Sequence, residues 1–288
     1  MDMNGELGML KRRWWIWAVI GLALAGCSDE GEEAEQEEVC QGLFGVPGES
    51  TGLDDEACSP RCDCEIRGVW EAPDYGAEFV DELREWELLE PAVATPEDDP
   101  YLDESFEIPD RDGVCAVVVE DLEARQYRLE TFESEDEAEA AGARVTHDEA
   151  CGLCSSLEDL AVYIEEVELT GPVRSCGLSG ISGGDEEQRQ CIQELGFSDE
   201  CSQIWSWNTT NTREECLDIC FDYLASPHNE SDGSLNPCLQ CDEDRSGEIF
   251  QAVAGRTRRN SGLPSAICRP CENLVFMDHR GVVSAQDQ

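Results

Sequence analysis

The sequence predicts a disulfide-rich α+β fold, in which a small α/β unit packs against a cysteine-rich region of short helices. Three observations predict this fold. Residues 114–167 alternate between strand-like and helix-like segments, and residues 171–271 hold nine cysteines between short helical segments. Hydrophobic residues make up 40% of the 288 residues, which is enough to bury a core of domain size.

The predicted α/β unit begins with two strands. Residues 114–119 form a short apolar run, and residues 127–132 alternate between apolar and polar side chains. Both patterns are typical of strands. Residues 134–142 predict a helix whose first turn is acidic, which suits the helix dipole. A third strand at 144–147 and an apolar-faced helix at 157–167 complete the unit.

Residues 40–113 are predicted to form an acidic, loop-rich region that contains cysteines, ahead of a disulfide-rich folded core at residues 114–288. Within this region, residues 76–90 predict an amphipathic helix because apolar residues recur on one helical face. That face consists of Phe79, Val80, Leu83 and Trp86. Residues 91–113 are rich in proline and aspartate and predict a long surface loop.

The cysteine-rich region is predicted to contain several short helices. A helix over residues 185–195 is followed by one over residues 199–205, which Ser198 caps. A capping box formed by Thr212 and Glu215 then predicts the start of a separate helix.

A leader with the parts of a bacterial export signal begins the chain. Residues 11–13 are basic, and residues 14–26 form an uncharged apolar run. The run is shorter than the ~20 residues that a membrane-spanning helix needs. It ends in Leu24-Ala25-Gly26-Cys27, which resembles the lipobox of bacterial lipoproteins. The resemblance implies that residues 1–26 are a signal peptide, that cleavage occurs before Cys27, and that Cys27 is lipidated.

Residues 27–39 are then predicted to form a lipidated acidic tether. Residues 28–39 carry seven acids and no base, so they favour an extended chain. More than one acyl chain on Cys27 would anchor the protein stably to a membrane. Ser28 stands where an aspartate signals inner-membrane retention in similar lipoproteins. The resemblance therefore implies an extracytoplasmic, lipid-anchored protein of the outer membrane, on its periplasmic or its surface face.

The formal net charge of −47 limits the partners of the protein. Binding to nucleic acid requires basic residues that neutralise phosphates, so nucleic acid is excluded as a partner. The same charge argues against direct binding to an anionic lipid surface. The predicted contact with the membrane is therefore the lipid anchor alone.

Sixteen cysteines remain when Cys27 is assigned to the lipid. An even number in an exported chain predicts up to eight disulfides, whose connectivity the sequence leaves open. Cys216 and Cys220 are four residues apart and are expected to lie on one helical face. The candidates are Cys40, Cys58, Cys62, Cys64, Cys115, Cys151, Cys154, Cys176, Cys191, Cys201, Cys216, Cys220, Cys238, Cys241, Cys268 and Cys271.

Three cysteine pairs have the Cys-x-x-Cys spacing of zinc sites and redox enzymes. Oxidation competes with metal binding outside the cytoplasm, so structural disulfides are the favoured interpretation. The pair Cys151 and Cys154 keeps a redox alternative open. A capping box of Ser155 and Glu158 predicts a helix start beside it, where the dipole would stabilise a thiolate, and His147 lies four residues before Cys151.

The segment after Cys241 is similar to the first eight positions of an EF-hand or dockerin-type calcium loop. Asp242, Asp244 and Ser246 provide oxygens at positions 1, 3 and 5, and Glu248 offers its carbonyl at position 7. Position 12 is Val253 rather than the usual bidentate acid. Calcium is therefore the candidate ion, with an acidic turn as the alternative.

Four arginines cluster near the C-terminus of this acidic chain: Arg256, Arg258, Arg259 and Arg269. Arginine binds carboxylates and sulfates with two parallel hydrogen bonds, so one interpretation is a site for an anionic ligand such as an acidic glycan. The favoured alternative is that these arginines pair with nearby acids of the protein itself.

The favoured function is a non-enzymatic binding or structural role in a membrane-anchored domain outside the cytoplasm. The rival is an extracytoplasmic enzyme of one of two kinds. One is a thiol–disulfide oxidoreductase that uses Cys151 and Cys154. The other is a metal-dependent hydrolase that uses acids together with His147 and His279. The sequence contains no Gly-x-Ser-x-Gly, His-Glu-x-x-His or phosphate-loop motif.

Overall fold

The computed structural model describes residues 39–283, in which eight of the nine strands lie before residue 149 and the longer helices follow. The strands are β1 (Cys40–Gln41), β2 (Leu43–Phe44), β3 (Arg61–Cys64), β4 (Gly68–Glu71), β5 (Glu87–Leu88), β6 (Val114–Asp121), β7 (Gln126–Phe132), β8 (Arg144–Asp148) and β9 (Arg269–Pro270). The helices are α1 (Ala77–Arg84), α2 (Glu135–Ala140), α3 (Leu157–Glu165), α4 (Thr170–Gly183), α5 (Asp185–Gln193), α6 (Asp199–Asp222) and α7 (Pro237–Ala254). The predicted signal peptide, the lipidation site Cys27 and the tether up to residue 38 lie outside the described residues.

The predicted α/β unit forms a four-stranded sheet in the order β5-β7-β6-β8. Strand β6 pairs antiparallel with β7 and β8, and β5 joins β7 in parallel. The helices α2 and α3 occur where the sequence predicts them. Each begins at a serine whose hydroxyl accepts a backbone amide, Ser134 for α2 and Ser156 for α3. The predicted capping box at Ser155 is therefore wrong by one residue.

The first cysteine-containing segment is joined to the C-terminal part of the chain. Strands β1, β3 and β4 form a small sheet, and β2 pairs with β9 across more than 200 residues of sequence. The disulfides Cys58–Cys268 and Cys62–Cys271 fix the same connection covalently. The described residues of the predicted ranges 40–113 and 114–288 consequently belong to one compact unit.

The helix α6 is longer than the sequence predicts. It has 24 residues, begins at the predicted cap Ser198, and continues through Thr212 without a break. The predicted separate helix after Thr212 is therefore wrong. The Thr212 side chain is not a cap but donates a hydrogen bond to Asp242 of α7.

Two disulfides hold α6 against α7. Cys216 is bonded to Cys241, and Cys220 to Cys238. The earlier cysteine of α6 is bonded to the later cysteine of α7, and the later one to the earlier one, so the two helices are antiparallel. Cys216 and Cys220 share one helical face, as their spacing predicts.

All sixteen cysteines among residues 39–283 form disulfides, which confirms the predicted disulfide-rich α+β fold. Such a set of bonds is typical of an oxidising compartment outside the cytoplasm. The pairs are Cys40–Cys64, Cys58–Cys268, Cys62–Cys271, Cys115–Cys151, Cys154–Cys201, Cys176–Cys191, Cys216–Cys241 and Cys220–Cys238.

The main hydrophobic core combines residues of the four-stranded sheet with residues of the helices α1, α3, α4, α5, α6 and α7. Helix α1 buries Val80 and Leu83 from the predicted apolar face, and Trp86 is buried just beyond its end. The buried Asp159 of α3 accepts hydrogen bonds from the amide and the hydroxyl of Ser198, which connects α3 to the start of α6. Within residues 39–283, no helix is both long and apolar enough to cross a membrane.

Candidate functional site

The predicted calcium loop is wrong in its conformation. Residues 242–248 belong to α7, where side chains two positions apart point to different sides of the helix and cannot converge on one ion. Asp242 accepts from Thr212, and Asp244 accepts from Gln240 at 2.8 Å. No group of three or more His, Cys, Asp or Glu side chains suited to a metal ion occurs among residues 39–283.

The other two predicted calcium ligands, the buried Ser246 and the exposed Glu248, have different surroundings in α7. The Ser246 hydroxyl accepts from the Asn211 side-chain amide at 2.9 Å and lies 2.9 Å from the Thr212 hydroxyl. It therefore joins α7 to α6. Glu248 lies on the exposed side of the helix.

The four candidate anion-binding arginines are used inside the protein. Arg256 is fully buried and donates to the carbonyls of Cys154, Thr146 and Ser155 at 3.2, 2.8 and 2.9 Å. Burial lowers the pKa of Arg256 to about 10, so the guanidinium remains charged at neutral pH. The anion-binding interpretation is wrong for this residue, because its donors already bind backbone.

The other three arginines of the cluster also have internal partners. Arg258 donates to the carbonyls of Tyr163 and Pro264 at 2.7 and 2.8 Å, and to that of Glu166. Arg259 and Arg269 both bind the carboxylate of Glu243, at 2.6 and 2.7 Å. Burial raises the pKa of Glu243, but the two arginine charges outweigh burial and lower it overall. The alternative of internal pairing is confirmed for Arg259 and Arg269, whereas Arg256 and Arg258 bind carbonyls.

The Cys-x-x-Cys pairs do not form dithiol sites. Cys151 is bonded to Cys115 and Cys154 to Cys201, so the oxidoreductase alternative lacks its thiols. The glycine between them has a packing role. A Cβ on Gly152 would come within 2.5 Å of the Gly255 nitrogen, so the chain lies directly against the end of α7.

The candidate metal ligands His147 and His279 lie in a closed polar interior. Both are fully buried. His147 Nε2 contacts the Ser155 hydroxyl at 2.7 Å, and His279 Nε2 contacts the Ser261 carbonyl at 2.8 Å. Burial, together with the charge of Arg256, lowers the pKa of His147 far below its usual value and that of His279 to about 3. These neutral, enclosed imidazoles are unsuited to the hydrolase alternative, because no substrate can reach them.

An apolar groove of about 300 Å³ is the best candidate site in the described part of the chain. Helices α4, α6 and α7 and the segment 257–267 form its walls. The volume is at the lower end of the range for small-molecule pockets. Apolar lining residues include Leu169, Val173, Leu239, Phe250, Ala266 and Ile267.

Aromatic side chains form one wall of the groove. Trp205 and Phe250 pack edge to face with ring centroids 4.7 Å apart. The Trp205 indole donates to the hydroxyl of Tyr163 at 3.2 Å, so its polar atom is satisfied. Arg258 lies over the Tyr163 ring, with its guanidinium carbon 5.4 Å from the centroid. The wall is therefore fixed by packing and hydrogen bonds before any ligand binds.

Exposed apolar side chains surround the mouth of the groove. Leu178 of α4 is 56% exposed, Leu217 of α6 is 54% exposed, and Leu224 just after α6 is 46% exposed. Leu217 and Phe221 are four residues apart in α6, which places them on one side of the helix, and Leu224 follows just after its end. Ile181 of α4 and Phe221 of α6 are also exposed but do not line the groove. A cluster of this kind is typical of a contact with a ligand, a membrane or a protein.

The groove also contains charged groups. The lining residues among the described part of the chain include three arginines, Arg174, Arg213 and Arg258, and one acid, Asp242. Burial raises the pKa of Asp242, although the hydrogen bond from Thr212 opposes this shift. In a chain of net charge −47, the groove is thus a locally basic surface.

Sequence reasoning missed this site for two reasons. Residues 170–183 contain four glycines and a proline, which conceal the helix α4. The segment of α7 resembled a loop. The apolar stripe at residues 217, 221 and 224 was the available signal, because it continues the spacing of one helical face.

Comparison with known proteins adds a family without an assigned function. A family of unknown function (DUF8771) matches residues 185–277, which is less than half of the chain. The matched range includes α5, α6, α7 and the segment 257–267, and therefore three walls of the groove, whereas α4 precedes it. No curated protein and no solved structure matches the chain.

Proposed function

We propose that the protein is a lipid-anchored, extracytoplasmic binding domain that holds a single alkyl or acyl chain in the groove between α4, α6 and α7. The groove of about 300 Å³, with its apolar lining and exposed apolar mouth, is the observation that carries this proposal. The ligand gains free energy by leaving water, at ~0.8 kcal/mol for each buried methylene.

The groove is preformed, which favours binding. Disulfides fix α6 to α7, and Cys176–Cys191 fixes α4 to α5. A rigid site loses less conformational entropy when a ligand binds than a mobile one does. Disulfides also suit a domain that works outside the cytoplasm, where thiols are oxidised.

A series of straight-chain alcohols from hexanol to dodecanol tests the proposal. Each added methylene should tighten the dissociation constant up to about fourfold, until the groove is filled. Calorimetry and the fluorescence of Trp205, which lines the groove, are the measurements. A dissociation constant that does not depend on chain length contradicts binding in an apolar groove.

Two matched variants locate the binding. Leu224→Asp adds an acid at the mouth and should weaken dodecanol binding about fivefold, since roughly 1 kcal/mol of apolar contact is lost. Leu122→Asp adds an acid at an equally exposed position, 47% against 46%, between β6 and β7. It should leave binding unchanged. If instead no alcohol binds and the chain dimerises through Leu224, a second copy covers the mouth and the proposal fails.

The anchor is tested in the full-length chain. Cys27→Ser removes the proposed lipidation site and should move the protein from the membrane fraction to the soluble fraction. Ser28→Asp should keep the lipid but shift the protein from the outer to the inner membrane. Unchanged fractionation of Cys27→Ser overturns the lipid anchor without affecting the groove.

A further inference from the structure

The arginines that line the groove differ in how their hydrogen-bond donors are used. A guanidinium group has five N–H donors. Arg258 is partly buried and donates to three carbonyls, so it supports the wall rather than a ligand. Arg174 donates one bond, to the Leu224 carbonyl at 3.1 Å, and is half-buried. Arg174 therefore has donors left for a ligand.

Arg213 adds a second positive charge where α4 meets α6. It donates to the Gly177 carbonyl at 2.8 Å and to the Gln188 side-chain oxygen at 2.9 Å. Neither Arg174 nor Arg213 forms a salt bridge with a carboxylate among residues 39–283, whereas nine other arginines do. In a chain with 66 acids, two such arginines in the lining of one groove are positive charges without a carboxylate partner.

We infer that the ligand of the groove is a single-chain amphiphile with an anionic head, such as a fatty acid, whose carboxylate binds Arg174 near Arg213. This inference rests on the proposed function. The alkyl chain occupies the apolar lining, and the head remains at the mouth, where the guanidinium forms charge-assisted hydrogen bonds.

The negative charge of the whole protein does not prevent this contact. At physiological salt the Debye length is about 8 Å, so distant carboxylates are screened while a hydrogen-bonded pair is not. The acidic surface would, however, attract cationic amphiphiles anywhere on the protein. A neutral alcohol of equal chain length is therefore the appropriate reference.

The test compares dodecanoate with dodecanol at pH 7.5 and 0.15 M salt, below their aggregation concentrations. The oxidised wild-type domain should bind dodecanoate about tenfold more tightly, because one hydrogen bond to a charged group contributes at least that factor. Arg174→Gln should bring the ratio of the two dissociation constants to about one, whatever the change in dodecanol binding itself. Arg174→Lys keeps the charge and should retain part of the preference.

Arg245→Gln is the matched control. Arg245 is exposed on α7, outside the groove, and has no carboxylate partner among the described residues. This variant should bind both probes like the wild type. An equal loss of preference in Arg245→Gln and Arg174→Gln overturns the assignment of Arg174.

The wild-type comparison alone separates the two proposals, even if a variant fails to fold. Equal binding of dodecanoate and dodecanol overturns the anionic head while the groove remains an alkyl-chain site. Absence of binding by both probes overturns the proposed function and this inference together.

Discussion

The polar interior around Arg256 and the groove between α4, α6 and α7 use the same residue types in opposite ways. In the interior, Arg256, His147 and Ser155 are fully buried and hydrogen-bonded to the chain. In the groove, Arg174 is half-buried with donors to spare, and leucines are exposed. Side chains whose bonding capacity is fully used hold the fold together. Side chains with unused capacity are available to a ligand.

Replacing Arg256 should produce the largest effect on stability. Arg256→Met keeps an unbranched side chain but removes the guanidinium that donates to three buried carbonyls, which should cost about 5 kcal/mol of unfolding free energy. Arg245→Met, at an exposed position of α7, should change it by less than about 0.5 kcal/mol. Guanidinium chloride unfolding with the disulfides intact measures both. Similar values would mean that the interior does not depend on Arg256.

The contribution of a disulfide to the unfolding free energy should depend on whether a second disulfide joins the same two segments. Removing Cys154–Cys201 with paired serine substitutions releases residues that are 47 apart in sequence, and should cost about 4 kcal/mol. Removing Cys216–Cys241 should cost less, about 2.5 kcal/mol, because Cys220–Cys238 still joins α6 to α7 and the loop that the bond closes is short. Thermal unfolding of the two variants should therefore differ clearly. Equal shifts in melting temperature contradict the argument from loop closure.

The buried histidines should make the interior sensitive to acid. The pKa of His279 is lowered to about 3 by burial and by Arg256, whereas an unfolded histidine titrates near 6.5. As the pH falls below 6.5 the unfolded chain binds the proton first, so stability is lost between about pH 6.5 and pH 3. From pH 7.5 to pH 5, the unfolding free energy of the wild type should fall by about 2 kcal/mol relative to His279→Gln.

Acids such as Asp159 make an opposing contribution to the change of the unfolding free energy with pH. Because His279→Gln has the same acids, comparing the wild type with this variant cancels their contribution. Burial raises the pKa of the Asp159 carboxyl to about 6, which favours the fold at lower pH. Nuclear magnetic resonance of the imidazole nitrogens provides a direct check. His147 and His279 should remain neutral at pH 5, and protonation of either one in the folded protein at that pH would contradict the prediction.

Substitutions at the mouth of the groove should have the smallest effect on the unfolding free energy. Leu217→Ser and Leu224→Ser replace side chains that are about half exposed, so each should change the unfolding free energy by less than about 0.5 kcal/mol. Dodecanol binding should nevertheless weaken. A large loss of stability would mean that these leucines belong to the core and not to a ligand site.

The elements of the four-stranded sheet could be predicted because their signals are local. Alternation over residues 127–132 and the serine-led helices α2 and α3 depend on neighbours in sequence. The local sequence patterns gave wrong predictions where residues distant in sequence determine the conformation. Ser155 was a plausible cap by sequence, but its hydroxyl contacts His147, and Ser156 caps α3 instead.

The helix α7 is a larger case in which the local sequence pattern predicts the wrong conformation. Its Asp-Glu-Asp-Arg-Ser-Gly segment has the composition of a turn, yet it is helical throughout. Asn236 caps its start and Pro237 occupies its first position, both of which favour a helix locally. Within the segment, Ser246 and Asp242 bond to α6, and two disulfides lie at its first half. Tertiary contacts therefore overcome a weak helical propensity.

The sequence by itself determined the number of crosslinks, the fold class and the excess of negative charge, because these depend on composition and local pattern. The tertiary structure decided which cysteines pair, which arginines are buried and where the groove lies. These properties depend on residues separated by up to 210 positions, such as Cys58 and Cys268. A guanidinium group has the same donors everywhere, and only its surroundings determine whether the chain or a ligand uses them.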